Sequence, residues 1–160
     1  MKPPARYCDA RVHVLHGDAR DLTPELLLEY TGPRVRHTHR QKSSGWIFIS
    51  ALQQAYDAVL SDMCHATHGN AFLDATKSLE LAELAWAIAG GAASEAGGVR
   101  LGGVLRPGGS LVIKVLQGGD IQNFAKSLRQ DFAKVAFHRP KATRSESKEV
   151  YVLGLGKKSQ

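Results

Sequence analysis

A carboxylate, a lysine and a second carboxylate stand at or beside the ends of three apolar, strand-like stretches in this 160-residue chain. Asp62 lies in Ser61-Asp62-Met63, Lys114 closes Leu111-Val112-Ile113-Lys114, and Glu149 lies in Ser147-Lys148-Glu149-Val150-Tyr151. Residues at strand ends of an open α/β sheet converge on one crevice, where such folds bind their ligands. The chemistry these types allow is removal of a proton by a lysine whose pKa is lowered by burial or by a neighbouring cation, with the carboxylates orienting it. Each residue also has a plainer reading. Asp62 serves equally as a helix cap or turn residue, Lys114 as a surface lysine whose stem snorkels along the strand end, and Glu149 as half of a surface pair with Lys148.

The elements that must position these groups are read from period and punctuation. Val12 to Leu15 is a short β-prone run ending in the turn signal Gly17-Asp18. Thr23 is an N-cap with Pro24 at the first helical position, and a helix follows over residues 25–30. Glycine, proline and charge break regular structure over residues 31–45, and residues 46–56 are compatible with helix or strand. Residues 57–61 form a buried-strand candidate closing on Asp62. After a polar loop, Asp74 or Thr76 caps a helix with Leu79, Ala82, Trp86 and Ala89 on one face; Lys77, Glu80 and Glu83 take the other, and Gly90-Gly91 stops it. Residues 91–103, rich in glycine and alanine, are expected to form a flexible inserted loop.

Leu105-Arg106-Pro107-Gly108-Gly109 is a turn launching a strand over residues 110–116. Asp120 then caps a helix along which Ile121, Phe124, Leu128, Phe132 and Val135 recur at spacings of three and four. A last strand covers residues 150–155. Strands alternating with helices of these lengths predict an α/β fold with a mostly parallel sheet.

Composition sets the outer bounds. With 43% hydrophobic and 22% charged residues, the chain is an ordinary globular protein of a single domain, residues 1–160. No run approaches the roughly 18 apolar residues of a membrane helix, so no membrane role is expected. Two cysteines are too few and too scattered for a disulfide framework, which favours a reducing compartment. The formal charge of +6 favours a polyanionic partner. Arg34, Arg36, Arg40 and Lys42 crowd one polar loop and Arg139, Lys141 and Arg144 another, making these the candidate RNA-binding residues; the plain alternative is two solvated loops. Cys64, His65 and His68 cluster without a fourth ligand or standard zinc spacing, and no metal is expected.

The chain resembles the FtsJ/RrmJ-type ribosomal RNA methyltransferases. The resemblance rests on Gly17-Asp18-Ala19-Arg20-Asp21, residues 57–63 (Asp-Ala-Val-Leu-Ser-Asp-Met), residues 105–114 (Leu-Arg-Pro-Gly-Gly-Ser-Leu-Val-Ile-Lys) and residues 145–151 (Ser-Glu-Ser-Lys-Glu-Val-Tyr), in family order from about residue 11 to residue 156. It implies a Rossmann-like class I methyltransferase sheet and transfer of a methyl group from S-adenosylmethionine to a ribose 2′-hydroxyl of large-subunit ribosomal RNA. By matching position, Asp62, Lys114 and Glu149 stand for three members of the family's Lys-Asp-Lys-Glu tetrad, with Lys114 as base. Asp18, Asp62 and Met63 fall at its cofactor positions. The partner implied is ribosomal RNA or a pre-ribosomal particle, and the residues 145–151 look closest to the bacterial and mitochondrial branch, so the mitochondrial matrix is expected over cytoplasm or nucleolus.

Three departures accompany the resemblance. Nothing matches the tetrad's first lysine, and no glycine-rich loop lies between a strand and a helix in the first hundred residues; Gly97-Gly98 and Gly102-Gly103 come after Asp62 and cannot serve. The sheet is therefore expected to be incomplete at its N-terminal side, leaving a gap of roughly 10 to 15 Å at a strand spacing near 4.8 Å. Buried backbone groups do not tolerate such a gap. A longer product, a second chain supplying the missing half, or a rearranged sheet would answer it. The loop after Asp62 also departs, carrying Cys64-His65-Ala66-Thr67 in place of an Ala-Pro-Asn-like turn. Retention of Asp62, Lys114 and Glu149 favours an enzyme. Loss of the glycine loop favours a catalytically degenerate relative that binds RNA or takes part in ribosome assembly, and a cap or transfer RNA methyltransferase is a third reading.

Overall fold

The computed structural model describes residues 17–29, 56–90, 103–118 and 120–159. The strand expected at 12–15, most of the segment 46–56, the loop 31–45 with Arg34, Arg36, Arg40 and Lys42, and most of the insert 91–103 lie outside the described residues.

A single 3-10 turn over Ala19–Asp21 leads into α1, Pro24–Glu29. The Thr23 hydroxyl accepts the Leu26 N–H at 3.2 Å, the cap that the sequence predicts. The strands are β1, Tyr56–Ser61, β2, Leu105–Leu116, β3, Phe132–His138, and β4, Glu149–Lys157; between them run α2, Ala71–Gly90, and α3, Ile121–Asp131. The sheet order is β1-β2-β4-β3. β1 and β2 are parallel, whereas β2 with β4 and β3 with β4 are antiparallel. The described sheet is therefore mixed, not mostly parallel, because residues 132–138, expected to continue a helix and then a loop, form a hairpin partner for β4.

That difference has a local cause. Phe132 and Val135 share the spacing of Ile121, Phe124 and Leu128, yet Phe132 is already extended (φ −118°, ψ 143°) and its N–H caps the Leu128 carbonyl. Pairing from Phe132 opposite Lys157 to His138 opposite Tyr151 gives the strand a ladder along its β4 side, and a tertiary ladder outweighs a local period. Helix starts differ from expectation too. Asn70 caps α2, its side-chain oxygen accepting the N–H groups of Phe72 and Leu73 at 3.1 Å each; Asp74 and Thr76 lie inside the first turns. Asp120 does hold the N-cap place of α3, but with φ −90° and ψ 27° its carboxylate accepts from the Asn123 side chain, not from backbone.

One face of the sheet carries the core. Leu111, Ile113 and Val115 alternate inward from β2, Val150 and Val152 from β4, and they meet Ala82, Ala85 and Ala89 of α2 and Phe124 and Leu128 of α3. Small alanines let α2 lie close against the strands, while Trp86 packs edge-on to Phe124 and donates its indole N–H to Asp131 at 2.8 Å. β1 departs from the buried strand expected of it. Leu60 is 75% exposed, because β1 pairs only with β2 among the described residues and so forms the sheet edge.

The Pro-Gly-Gly turn is a wide bulge within β2. Tyr56 pairs with Leu105 and Ala58 with Ser110, so residues 106–109 loop out opposite Asp57. Gly108 takes φ +77°, which a residue with a Cβ rarely adopts, and a Cβ at Gly109 would stand 2.7 Å from the Leu105 side chain. Gly154 in β4 makes room for Phe132, whose ring atoms would meet a Cβ there at 2.8 to 3.0 Å. Because Phe132 is fully buried, Gly154→Ala is expected to destabilise the fold by about 1–3 kcal/mol through overpacking. Denaturant unfolding monitored by circular dichroism checks it, and an unchanged midpoint would show that the ring can move aside.

Candidate active site

Register alone gathers the three polar residues. Ser61 pairs with Ile113, so Asp62, the next residue, comes beside Lys114 as the parallel pair ends. Lys114 faces Tyr151 and Leu116 faces Glu149 across the antiparallel pair, which places Glu149 diagonally from Lys114 on one face. The ammonium of Lys114 lies 2.8 Å from Asp62 Oδ1 and 3.6 Å from Glu149 Oε1. Its side chain is only 12% exposed, whereas Asp62 is 78% and Glu149 42% exposed. The least exposed member of the trio is the cation, and both acids reach from it towards solvent.

The electrostatics invert one expectation. A base would profit from a lowered lysine pKa, but here the hydrogen bond to Asp62 raises that of Lys114 above its ordinary value; burial works against this, and the charges of Asp62 and Glu149 add to the rise. Among the described residues no cation near Lys114 offsets them. Glu149 is held by a residue that the motif reading overlooked: the Ser147 hydroxyl accepts the Glu149 N–H at 3.2 Å and lies 3.4 Å from its Oε2. The signal was in the sequence, since serine two residues before a functional acid is a common local side-chain-to-backbone partner.

Two clefts flank the trio. One of about 740 Å³ is lined by Asp18, Arg20, Met63, Cys64, His65 and residues of α2, so Asp18 and Met63, far apart in sequence, share a wall. Asp62 and Met63 also line a neighbouring apolar hollow of about 380 Å³ along β1. The other cleft, about 640 Å³, is bounded by Arg144, Lys148, Glu149 and Tyr151. Lys114 joins the two indirectly, reaching Asp62, the neighbour of Met63, and Glu149.

Asp18 is engaged within its own turn. It caps the 3-10 turn through the Arg20 N–H at 2.9 Å and grips the Arg20 guanidinium at 2.9 and 2.6 Å, which holds its carboxyl down at about 2. Among the described basic candidates, Lys141 and Arg144 are exposed. Arg139 instead donates to the carbonyls of Arg144, Ser145 and Ser147 at 3.1, 3.1 and 2.7 Å, folding the 139–148 loop around itself. That loop carries the other charges outward beside Glu149. Arg34, Arg36, Arg40 and Lys42 lie outside the described residues.

A mixed α/β sheet thus brings an aspartate, a lysine and a glutamate together at its strand ends. The model of the FtsJ-like methyltransferase family matches residues 2–157, and the chain belongs to that family. It is 37% identical over 108 residues to the ribosomal RNA large subunit methyltransferase E of Desulforapulum autotrophicum, covering 68% of this chain and 47% of that protein. With the enzyme of the same name from Pseudomonas fluorescens it shares 39% over 157 residues, 96% of this chain and 69% of that one. The crystal structure of a ribosomal RNA methyltransferase from Plasmodium falciparum aligns with a TM-score of 0.49 and 21% identity, over 65% of this chain and 48% of that one. The chain thus spans about half the length of most curated relatives it matches.

Proposed function

We propose that this chain carries the catalytic and RNA-facing part of an S-adenosylmethionine-dependent ribose 2′-O-methyltransferase acting on large-subunit ribosomal RNA. The observation that carries the reading is Lys114, largely covered and held between Asp62, on the apolar hollow, and Glu149, on the basic cleft. A ribose hydroxyl is a poor nucleophile until its proton is taken, and Lys114 is the group placed to take it. Glu149, fixed by Ser147, orients the lysine and the ribose from the basic side. Asp62 faces the cofactor side, where its exposed oxygen suits a positively charged sulfonium.

The residues present fit the cofactor in part. A cleft of this size lies within the usual range of ligand sites, roughly 300–1,000 Å³, and combines apolar Leu81 and Leu84 with the acid Asp18. Asp18, Asp62 and Met63 would hold it, and its activated methyl group would supply the transferable carbon. Among the described residues no glycine-rich loop is available for the methionine end, so full affinity calls for a segment outside them, from this chain or a second one. The family resemblance of residues 145–151 extends the reading to a mitochondrial matrix setting.

The test is incubation with radiolabelled S-adenosylmethionine and ribosomal RNA, with the product mapped as a ribose 2′-O-methyl. Label on a base, or on protein alone, would overturn the reading. RNA affinity gives a second arm. Lys141→Ala with Arg144→Ala is expected to weaken RNA binding and to flatten its dependence on log salt by about 0.7–0.9 per lost phosphate contact. An unchanged slope would mean that the 139–148 loop faces away from RNA.

A further inference from the structure

The loop that replaces the family's Ala-Pro-Asn-like turn brings two histidines onto an acid of the following helix. His65 Nε2 lies 3.3 Å and His68 Nδ1 3.5 Å from Asp74 Oδ1, and the donor atoms of all three side chains fall within 4.8 Å of one another. We propose that His65, His68 and Asp74 form a binding site for a divalent metal ion of the zinc type. The two histidine–aspartate separations suit an ion as well as a hydrogen bond. Charge-assisted bonds between nitrogen and carboxylate run about 2.7–2.9 Å, shorter than either distance. Ligands about 2.0–2.2 Å from one tetrahedral ion lie roughly 3.4 Å apart, close to the 3.3 and 3.5 Å at which the two histidines stand from Asp74.

The setting is that of a held ligand set. Asp74 is buried in the first turn of α2, and its Oδ1 accepts the His68 backbone N–H at 2.9 Å, a bond that fixes the carboxylate and the loop together. His65 is 15% exposed and His68 50%, so the ion enters from the His68 side and a fourth position stays open to water. Cys64 lies next door, but its thiol points to the His65 carbonyl at 3.4 Å and is outside the cluster. His65 also lines the cleft of Asp18 and Met63; an ion here clips residues 65–68 to α2 and sets the shape of that wall. Sequence spacing hid the site because Asp74 is supplied by the helix after the loop.

Affinity is expected in the micromolar range. Only three protein ligands are present, and the second ring nitrogen of His65 is buried with no hydrogen-bond partner, where lack of such outer support weakens metal binding by about 10–100-fold. The experiment is calorimetric titration of the full chain with zinc chloride, with cobalt(II) absorption as the geometric readout. One ion per chain with intense visible bands of tetrahedral cobalt is expected. His65→Gln and His68→Gln should each weaken binding by about tenfold or more, with unchanged far-ultraviolet dichroism, and Cys64→Ser should leave it intact. No binding at about a hundred times a micromolar Kd overturns the proposal. So does binding that survives both histidine changes or disappears with Cys64→Ser. Because His68 is half exposed and makes its bond to Asp74 through the backbone, its variant tests the site even if Asp74→Asn fails to fold.

Discussion

Lys114→Ala is expected, on the proposed function, to lower the rate of methyl transfer to ribosomal RNA by about 10²–10⁴-fold, the usual contribution of a positioned general base, while leaving RNA affinity within about twofold. The size of the effect follows from the asymmetry of the trio. Lys114 is the least exposed member and the one within reach of both acids, so neither acid can take over its place. The small effect on RNA follows from the proposed reading, in which the phosphate backbone meets the exposed Lys141 and Arg144 and not Lys114. The fold should survive, since the carboxylates left behind are 78% and 42% exposed and can turn to water. Single-turnover methylation and filter binding on the same samples separate the two quantities. Equal loss of both would make Lys114 an RNA contact. An unchanged rate would remove it from the chemistry.

The trio was legible before any coordinates because each member sits at a strand end, and strand ends are where period, punctuation and topology agree. Asp57 to Asp62 and Ser110 to Lys114 are short apolar runs closed by a charged residue, and parallel pairing of the runs leaves little choice about which charged residues meet. The helical cores were readable for a similar reason, with Ala82 and Ala89 of α2 and Phe124 and Leu128 of α3 falling on the buried face as their spacing implies. Where reading failed, a tertiary partner decided the local state. Phe132 and Val135 fit a helical stripe as well as a strand, and only the ladder to β4 selects the strand. Asn70 outcompetes Asp74 as a cap because Asp74 is taken by the two histidines of the loop. Arg139 also has a structural task that its charge alone does not reveal, donating to three carbonyls of its own loop.

The pH dependence of methylation should reveal how the carboxylates share Lys114. As a base it acts only after losing its proton, so the rate is expected to climb with pH through the neutral range, reaching a plateau only near the lysine's own pKa. Asp62 raises that pKa most through its hydrogen bond at 2.8 Å, and Glu149 contributes less from 3.6 Å. Asp62→Asn therefore removes the larger upward influence and leaves burial, which pushes the lysine down; the rising limb moves to lower pH. Glu149→Gln moves it in the same direction by a smaller amount. Both variants should be slower at their plateaus, since each loses a group that positions reactants, and positioning can account for as much as about 7–11 kcal/mol of a barrier. The two effects separate cleanly, because position along the pH axis reports the lysine and plateau height reports the alignment. Profiles of methylation between neutral and strongly alkaline pH for the three proteins decide the matter. A limb that stays in place in Asp62→Asn, or moves further in Glu149→Gln, would assign the titrating group to something other than Lys114.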